Sequence, residues 1–321
     1  MKKTVKRAVA LALSATLVFS LATGCQNKKK AKYNIGICQI VQHDALDAAT
    51  EGFKKALEDK LGKDVSFDVQ NAQGDSSNCA TIMTGFVSAK KNLILANATP
   101  ALQAARNATD SIPILGTSVT DYGAALDMTI KDGKTGINIS GTSDLAPLDK
   151  QAELFKTLLP DAKKVGILYC SAEANSKFQA VEIAKELKKL GYETKDYVFS
   201  DSNDIAAVCT SAVSNCDALY IPTDNTAASN TEVIDSIARP KKCPIIAGEV
   251  SICKGCGIAT VSINYYDLGY ETGLMAYEIL VNKKDIKTME IKYSPKVTYQ
   301  YNETICKELN IKVPDNFEVA K

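Results

Sequence analysis

Two patterns of apolar positions take turns along this chain. Longer segments carry apolar residues on one helical face, and short apolar runs rich in β-branched residues lie between them. In residues 46–61 the apolar face consists of Leu46, Ala49, Phe53, Ala56 and Leu57. Further helices are predicted at residues 80–89 and 101–108, and strands at residues 33–40, 65–69, 93–96 and 112–115. Strands that alternate with helices favour a parallel sheet covered on both faces.

The second half of the chain repeats this order at an offset of roughly 130 residues, which is the length of a domain rather than of a solenoid repeat. The first strand, residues 33–37, corresponds to residues 164–168. Later matches pair residues 97–100 with residues 222–225, and residues 112–116 with residues 243–248. Several matches in one order indicate two lobes of the same design.

We therefore predict an α/β fold of two similar lobes, each a parallel sheet flanked by helices, with a ligand cleft between them. The predicted N-terminal lobe comprises residues 33–141 plus 265–292. The predicted C-terminal lobe comprises residues 142–264 plus 293–321. The hinge is expected where the chain crosses between lobes, near residues 141–144, near residues 262–265, and again before Tyr293.

The first 24 residues have the composition of a secretory signal peptide, with a cationic start and an apolar run at residues 8–19. That run is shorter than a membrane-spanning helix needs. It ends at Leu21-Ala22-Thr23-Gly24-Cys25, a pattern typical of a bacterial lipobox, so Cys25 is the expected lipidation site. A plain signal peptide is the alternative. Residues 25–32 are polar and cationic and are predicted to be a tether.

Charge and cysteine content narrow the function classes. Lys plus Arg is 38 against 37 Asp plus Glu, so no basic surplus indicates a nucleic-acid partner. Nine cysteines remain beyond Cys25, an odd number that cannot all pair within one chain. Several lie within apolar strand-like runs, so we expect mostly free, buried thiols.

Signatures of catalysis are scarce. His43 is the only histidine, so it is the only residue that could serve as the histidine of a catalytic Ser-His-Asp triad. No cluster has the spacing of a metal site, and no phosphate-binding loop occurs, so no cofactor or metal is expected. Cys253-Lys254-Gly255-Cys256 is a conceivable redox dithiol, but its context favours packing. The sequence therefore does not predict an enzyme.

Two loops at predicted strand ends have complementary chemistry. Thr99 precedes Pro100 at a predicted helix start, where free N–H groups and the helix dipole favour an anion such as a carboxylate. Asp224 and Asn225 follow the corresponding strand of the second lobe and offer a negative charge, suited to an ammonium. An ordinary capped helix also explains the first loop. Together the two loops match the ends of a zwitterion.

Other polar residues lie at matching strand ends and are further candidates for ligand contacts. Turns need such residues in any case, so each by itself is equally explained as a structural loop residue. Five tyrosines, Tyr122, Tyr169, Tyr220, Tyr265 and Tyr266, lie at or beside strand ends, where they could pack or stack on a ligand. The polar candidates are Gln39, His43, Thr117, Thr120, Asp121, Thr142, Ser143 and Glu249.

The chain resembles the bacterial ABC-transporter substrate-binding lipoproteins of the tryptophan/tyrosine type. The resemblance is carried by several segments that occur in the same order along the chain. They include residues 35–40, 51–53, 98–100, 112–114, 138–144, 165–169, 173–176, 222–225 and 266–269. The resemblance spans nearly the whole mature chain and implies a periplasmic-binding-protein type I-like fold. It also implies an ABC permease with its ATPase as partners, and aromatic amino acids as the best-known ligands.

The resemblance also implies which residues line the cleft. These are Thr99, Thr117, Thr120, Asp121, Thr142, Ser143, Asn175, Ser176, Asp224 and Asn225. The chain departs from the family pattern at Tyr122, where a proline is usual, at Leu102, where an alanine is usual, and at Cys253 and Cys256, where apolar residues are usual.

The sequence thus predicts the extracytoplasmic solute-binding component of an ABC importer, anchored to the cell membrane by the lipid on Cys25. The expected ligand is a small zwitterion, with aromatic amino acids first, and binding is expected to close the lobes about the hinge. In this scheme Thr99 takes the carboxylate, Asp224 the ammonium, and tyrosines with Thr142 and Ser143 the side chain. The alternatives are a binding protein for a sugar, a nucleoside or another amino acid, or a ligand-sensing receptor subunit.

Overall fold

The computed structural model describes residues 31–294 and 296–320. The predicted signal peptide at residues 1–24, the proposed lipidation site Cys25 and most of the tether lie outside these residues. Within them, no helix combines the length and the apolar character that a membrane span requires.

Strands form where short apolar runs were predicted, and those in the middle of the sheets are almost wholly buried, because helices cover both faces of a parallel sheet. The first sheet contains β1 (Tyr33–Gln39), β2 (Val65–Asn71), β3 (Leu93–Asn97), β4 (Ile114–Val119), β5 (Ile139–Ser143) and β11 (Lys292–Tyr293). The second sheet contains β6 (Lys164–Cys170), β7 (Glu193–Phe199), β8 (Ala218–Ile221), β9 (Ile245–Ala247), β10 (Ala259–Ser262), β12 (Thr298–Tyr301) and β13 (Glu318–Val319).

Helices fill the segments between the strands. Those joined to the first sheet are α1 (Asp44–Leu61), α2 (Ser76–Ser88), α3 (Thr99–Ala108), α4 (Tyr122–Leu126) and α11 (Tyr265–Leu280). Those joined to the second are α5 (Leu148–Leu158), α6 (Ala174–Lys189), α7 (Ile205–Asn215), α8 (Asn225–Ala228), α9 (Thr231–Ala238), α10 (Val250–Gly255) and α12 (Glu303–Glu308). Short 3₁₀ turns lie at Gly62–Asp64 and Ile286–Thr288. The predicted apolar face of α1 is buried, which confirms its periodicity.

The two sheets share one strand order. The first runs β11-β5-β4-β3-β1-β2, and the second runs β13-β12-β10-β9-β8-β6-β7. Setting aside β11, β12 and β13, each strand of the first sheet has its counterpart in the second at the same place, and all these pairs are parallel. The fold is therefore the predicted pair of α/β lobes, and the internal repeat is structural.

Each lobe has its own apolar core. Phe86, Met83 and Leu102 belong to clusters around the first sheet, and Phe155 and Phe199 to clusters around the second. The cysteines beyond Cys25 contribute to these cores, and all except the half-buried Cys216 are buried. Their side chains pack as small apolar groups, as the sequence predicts.

The described chain passes between the sheets at three places. These are the segments 144–147 and 263–264, which join β5 to α5 and β10 to α11, and the connection between β11 and β12, of which residues 294 and 296–297 are described. We propose that the lobe boundaries fall at these crossings, one or two residues beyond the bounds that the sequence suggests after 141 and 292.

Helix α11 returns to the first lobe and packs against α1 at very close range. A Cβ atom at Gly269 would lie 1.9 Å from the carbonyl oxygen of Ala49, and one at Gly273 would lie 2.6 Å from that of Phe53. Glycine is therefore required for the approach of these two backbones. The sequence of residues 265–280 predicts a helix with Gly269 and Gly273 on one face for close packing, and the structure confirms this prediction.

Candidate functional site

The carboxyl ends of β3 and β4 carry two residues in unusual backbone conformations. Ala98, directly after β3, has φ 87°, and Ser118 has φ 54° beside a register shift between β4 and β5. Positive φ is costly for residues with a Cβ and persists where the surrounding structure imposes it, often at functional sites. Both strained residues are buried.

Thr99 directly follows the strained residue Ala98, but it does not cap helix α3. Helix α3 begins at Thr99 itself, with Ala98 at the N-cap position and Pro100 in the first turn. The capping role expected for Thr99 is therefore wrong. Its hydroxyl is buried, and Thr99 Oγ1 has no hydrogen-bond partner among the described residues.

Seven buried side-chain atoms of the described residues share this property. Two of them, Asn97 Oδ1 and Thr260 Oγ1, belong to the strands β3 and β10, and the other five lie at or within a few residues of strand ends. None of these five has a hydrogen-bond partner within the described part of the chain, and we refer to them below as the orphan atoms. Buried polar atoms in proteins are almost always bonded, so a group of exceptions calls for a role. The orphan atoms are His43 Nδ1, Thr99 Oγ1, Ser118 Oγ, Asp144 Oδ1 and Asn175 Oδ1.

Several predicted site residues instead form the scaffold of the first lobe. Thr117, Thr142 and Thr272 are fully buried and joined in a chain of hydroxyl groups, with Oγ1–Oγ1 distances of 3.2 and 2.8 Å. Ser143 Oγ donates to the carbonyl of Thr120, at 2.7 Å. Thr142 and Ser143 are therefore bonded internally.

Gln39 and Asp121 are also committed to the scaffold. Gln39 accepts a hydrogen bond from the Thr50 hydroxyl at 2.7 Å and donates to the carboxylate of Asp47 at 2.6 Å, which ties β1 to α1. Asp121 caps α4 by accepting from the Ala124 amide at 2.7 Å.

In the second lobe, Glu173 is the centre of a dense network. One carboxylate oxygen accepts from the amide and the side chain of Asn225 and from Asn175 Nδ2, and the other accepts from the amide and hydroxyl of Thr226. Five donors thus converge on a residue that is only 4% exposed. This carboxylate holds the start of α8 against the start of α6.

Asp224 and Glu249 are buried helix caps. Asp224 accepts from the Ala227 amide through Oδ1 and from the Cys170 amide through Oδ2, at 2.8 and 2.7 Å. Glu249 accepts from the amides of Ser251 and Ile252 in the first turn of α10, both at 2.7 Å. Burial, together with the nearby Glu173 charge, raises the pKa of Asp224 to about 8. Both oxygens of Asp224 already serve the protein backbone.

Asn175 and Ser176 lie in the first turn of α6, beside this network. Asn175 Nδ2 donates to Glu173 and to the carbonyl of Thr223, which directs its orphan oxygen elsewhere. Ser176 is fully buried and its hydroxyl favours the charged form of Asp224.

The two lobes touch through the start of α1. Asn225 gives its amide hydrogens to Glu173, so its Oδ1 faces His43 Nε2 at 3.4 Å and the imidazole donates from Nε2. The amide of Ala45 donates to the Ser251 hydroxyl at 3.1 Å, and Asp44 forms an ion pair with Lys254. Three successive residues of the first lobe thus hold the second.

A second contact joins the lobes at Thr120. Gln179 accepts from the amide and hydroxyl of Thr223 through Oε1, so its Nε2 is turned toward Thr120 Oγ1, 3.3 Å away. Beside these contacts, a cavity of about 190 Å³ opens between the lobes and is lined by Pro100, Glu173 and Asn225 among others.

Asp144 lies on the first crossing between the lobes and is 2% exposed. Its Oδ2 accepts from the hydroxyl of Tyr265, 3.0 Å away, at the end of the second crossing. Burial raises the pKa of Asp144 to about 6, although the hydroxyl groups of Thr120 and Tyr265 favour its charged form. The Glu249 charge across the cleft raises the pKa further.

The five tyrosines at predicted strand ends are engaged with other parts of the protein. Tyr122 donates to the carbonyl of Thr142 and Tyr220 to Gln151 Oε1, and both rings belong to lobe cores. Tyr169 reaches Asp196, and Tyr266 stacks on Tyr270 at the surface. Tyr265 is the one of the five that joins the crossings.

The Cys253–Cys256 pair does not have the environment of a redox dithiol. Both residues are buried, and burial raises the pKa of each thiol well above its usual value. A reactive dithiol needs a lowered thiol pKa. Among the described residues, no group of histidine, cysteine and carboxylate side chains could hold a metal ion.

Sequence reasoning missed Ser118, Asp144, Glu173, Gln179 and Ser251 as residues of this region. Asp144 and Glu173 both lie within segments that carry the family resemblance, and Asp144 also lies in the predicted hinge region. No sequence signal distinguishes a carboxylate with five donors from one with an unused oxygen.

Comparisons with known proteins identify the family of this chain. Residues 34–321 match the family described as ABC transporter substrate binding protein. The chain belongs to this family. A tyrosine-binding protein from Clostridioides difficile is 42% identical over 295 residues, which cover 87% of this chain and 85% of that protein.

Two solved structures superpose on this chain to different extents. An ABC domain from Streptococcus pneumoniae in complex with L-Trp superposes with a TM-score of 0.85 at 31% identity, covering 89% of this chain and 97% of that one. A ligand-free, open substrate-binding protein with adhesive properties from Clostridium difficile reaches only 0.68 at 40% identity, covering 90% and 100%. The chain therefore superposes better on the L-Trp complex than on the ligand-free, open structure, although the latter is more similar in sequence.

The family membership supports the solute-binding role that the sequence predicts. The chain is a substrate-binding protein of an ABC transporter, with an extracytoplasmic location and the periplasmic-binding-protein type I-like fold.

Proposed function

We propose that this protein captures an aromatic amino acid, L-tyrosine or L-tryptophan, outside the cell and delivers it to an ABC permease driven by its ATPase. The lipid on Cys25 anchors it to the membrane, and it performs no catalysis on its ligand. The relatives that bind tyrosine and L-Trp support the choice of ligand.

The observation that carries the proposal is the group of orphan atoms. Thr99 and Ser118 come from the first lobe, Asn175 from the second, and all three are over nine-tenths buried. Hydroxyl and amide groups without protein partners are suited to the polar ends of an amino acid. Thr99, at the start of α3, remains our candidate for the carboxylate, because the dipole of that helix favours an anion there.

The test is calorimetric titration of the purified mature protein with L-tyrosine, L-tryptophan, L-phenylalanine, L-leucine, D-glucose and adenosine. We expect dissociation constants near micromolar, about −8 kcal/mol, for the aromatic amino acids. Binding of glucose or adenosine alone would overturn the amino-acid assignment while leaving the transport role.

The lipid anchor has its own test. In the natural host, Cys25→Ser is expected to release the protein from the membrane fraction without changing its titration with ligand. An unchanged membrane fraction would instead favour a different means of attachment.

A further inference from the structure

The cleft contains several buried carboxylates, and they differ in what remains of their hydrogen-bonding capacity. Glu173 receives five donors, Asp224 receives two backbone amides, and Glu249 caps α10. Asp144 receives a hydrogen bond from Tyr265 on Oδ2, whereas Oδ1 is an orphan atom. A carboxylate oxygen has two lone pairs, so Asp144 keeps the most acceptor capacity of the four.

We propose that Asp144, rather than Asp224, accepts the ammonium group of the bound amino acid. This inference rests on the proposed function and deepens it. A buried carboxylate needs a counter-charge or a full set of donors, and Asp144 has neither in the described structure.

The position of Asp144 suits this role. It follows β5 at the first crossing, and its Tyr265 partner begins α11 at the second crossing. Thr120, whose hydroxyl lies near Asp144, is also the residue that Gln179 of the second lobe reaches. An ammonium bound here would therefore lie at the hinge, beside the threonine that forms one of the contacts between the lobes.

The charges around Asp144 also favour an ammonium ligand. The titratable groups that face Asp144 are Glu249 from α10, Tyr265 from α11 and Tyr122 from α4, and none of them is cationic. Burial raises the pKa of Asp144 to about 6. An ammonium beside it would lower that pKa, so binding near pH 5 to 6 should release a proton and affinity should rise with pH.

The experiment compares each amino acid with its analogue that lacks the amino group. L-tyrosine and 3-(4-hydroxyphenyl)propionate, and L-tryptophan and indole-3-propionate, are titrated into the mature wild-type protein, Asp144→Asn and Asp224→Asn. We expect the wild type to prefer the amino acid by roughly 100-fold or more, and Asp144→Asn to lose most of this preference. Asp224→Asn should keep it.

The preference is a ratio within one variant, so a general loss of stability or of active protein does not mimic the effect. Thermal unfolding of each variant without ligand verifies that it is folded. The wild type should also release a proton on binding at pH 5.5, measured in buffers of different ionisation enthalpy, and Asp144→Asn should not.

Retention of the full preference by Asp144→Asn would overturn the inference, and its loss in Asp224→Asn alone would restore the sequence-based assignment. Both results leave the proposed function intact, since the wild type still binds. Failure of the wild type to bind any amino acid would overturn both proposals.

Discussion

The two sides of the cleft use buried acidic residues in opposite ways. On the second lobe, Glu173 and Asp224 are surrounded by backbone amides and by amide and hydroxyl side chains that point at their oxygens. At the hinge, Asp144 is equally buried, but its Oδ2 accepts from the Tyr265 hydroxyl while its Oδ1 has no hydrogen-bond partner among the described residues. The three carboxylates are similarly buried, but they differ in the number of hydrogen-bond donors that they receive. A saturated carboxylate organises the protein, whereas an unsaturated one is available to a ligand.

The largest expected effect concerns Glu173, the carboxylate of the second lobe that receives five hydrogen bonds. Glu173→Ala should lower the free energy of unfolding by about 3 to 5 kcal/mol, because five donors lose a buried charged acceptor. Denaturant unfolding measures this change. The matched control is Glu182→Ala on the same helix, an exposed residue paired with Lys185, which should change stability by less than about 0.5 kcal/mol. Equal effects of the two variants would contradict the structural role of Glu173.

The second-largest expected effect is the contribution of Asp144 to the pH dependence of the free energy of unfolding. The folded-state pKa of Asp144 is raised from 3.8 to about 6, so the folded protein holds a proton that the unfolded chain releases. Stability from this group is present at acid pH and is lost as the pH rises through about 4 to 6. Compared with Asp144→Asn, the ligand-free wild type should lose about 3 kcal/mol over this range. Parallel stability curves for the two proteins would show that Asp144 titrates normally.

A smaller effect separates two threonines of the first lobe. Thr142→Val breaks a chain of bonded hydroxyl groups and should lower stability by about 1 to 2 kcal/mol. Thr99→Val removes an orphan atom, so it should leave stability unchanged and weaken amino-acid binding by about tenfold. Unfolding and calorimetric titration of both variants check the pair. Loss of stability in Thr99→Val would mean that its hydroxyl is bonded within the protein.

The smallest effect concerns the contact that joins the two sides. Asp44 and Lys254 form a partly exposed ion pair across the cleft, with side chains 64% and 34% exposed, so breaking it should cost less than about 1 kcal/mol in ligand affinity. Asp44→Lys should weaken binding slightly at low salt, and the charge-swapped double variant Asp44→Lys/Lys254→Asp should recover it. An effect of Asp44→Lys that persists in 1 M salt would indicate a cause other than this pair.

The architecture was readable from the sequence because it depends on periodic patterns. The apolar face of α1, the strand at Tyr33–Gln39 and the repeat that links it to Lys164–Cys170 all follow from which positions must be buried. Gly269 and Gly273 indicated close helix packing for the same reason, since only a missing side chain allows that approach.

The sequence also indicated the loops of the candidate site. Those of Thr99 and Asp224 follow from the position of ligands beyond the strand ends of open parallel sheets, and that of Asn175 follows from the family resemblance. The use of each side chain was decided by tertiary structure. Whether a hydroxyl or a carboxylate is bonded depends on donors that are distant in the chain, as with Asp144 and Tyr265, which lie 121 positions apart. Burial follows from local pattern, but hydrogen-bond satisfaction is a property of the assembled neighbourhood.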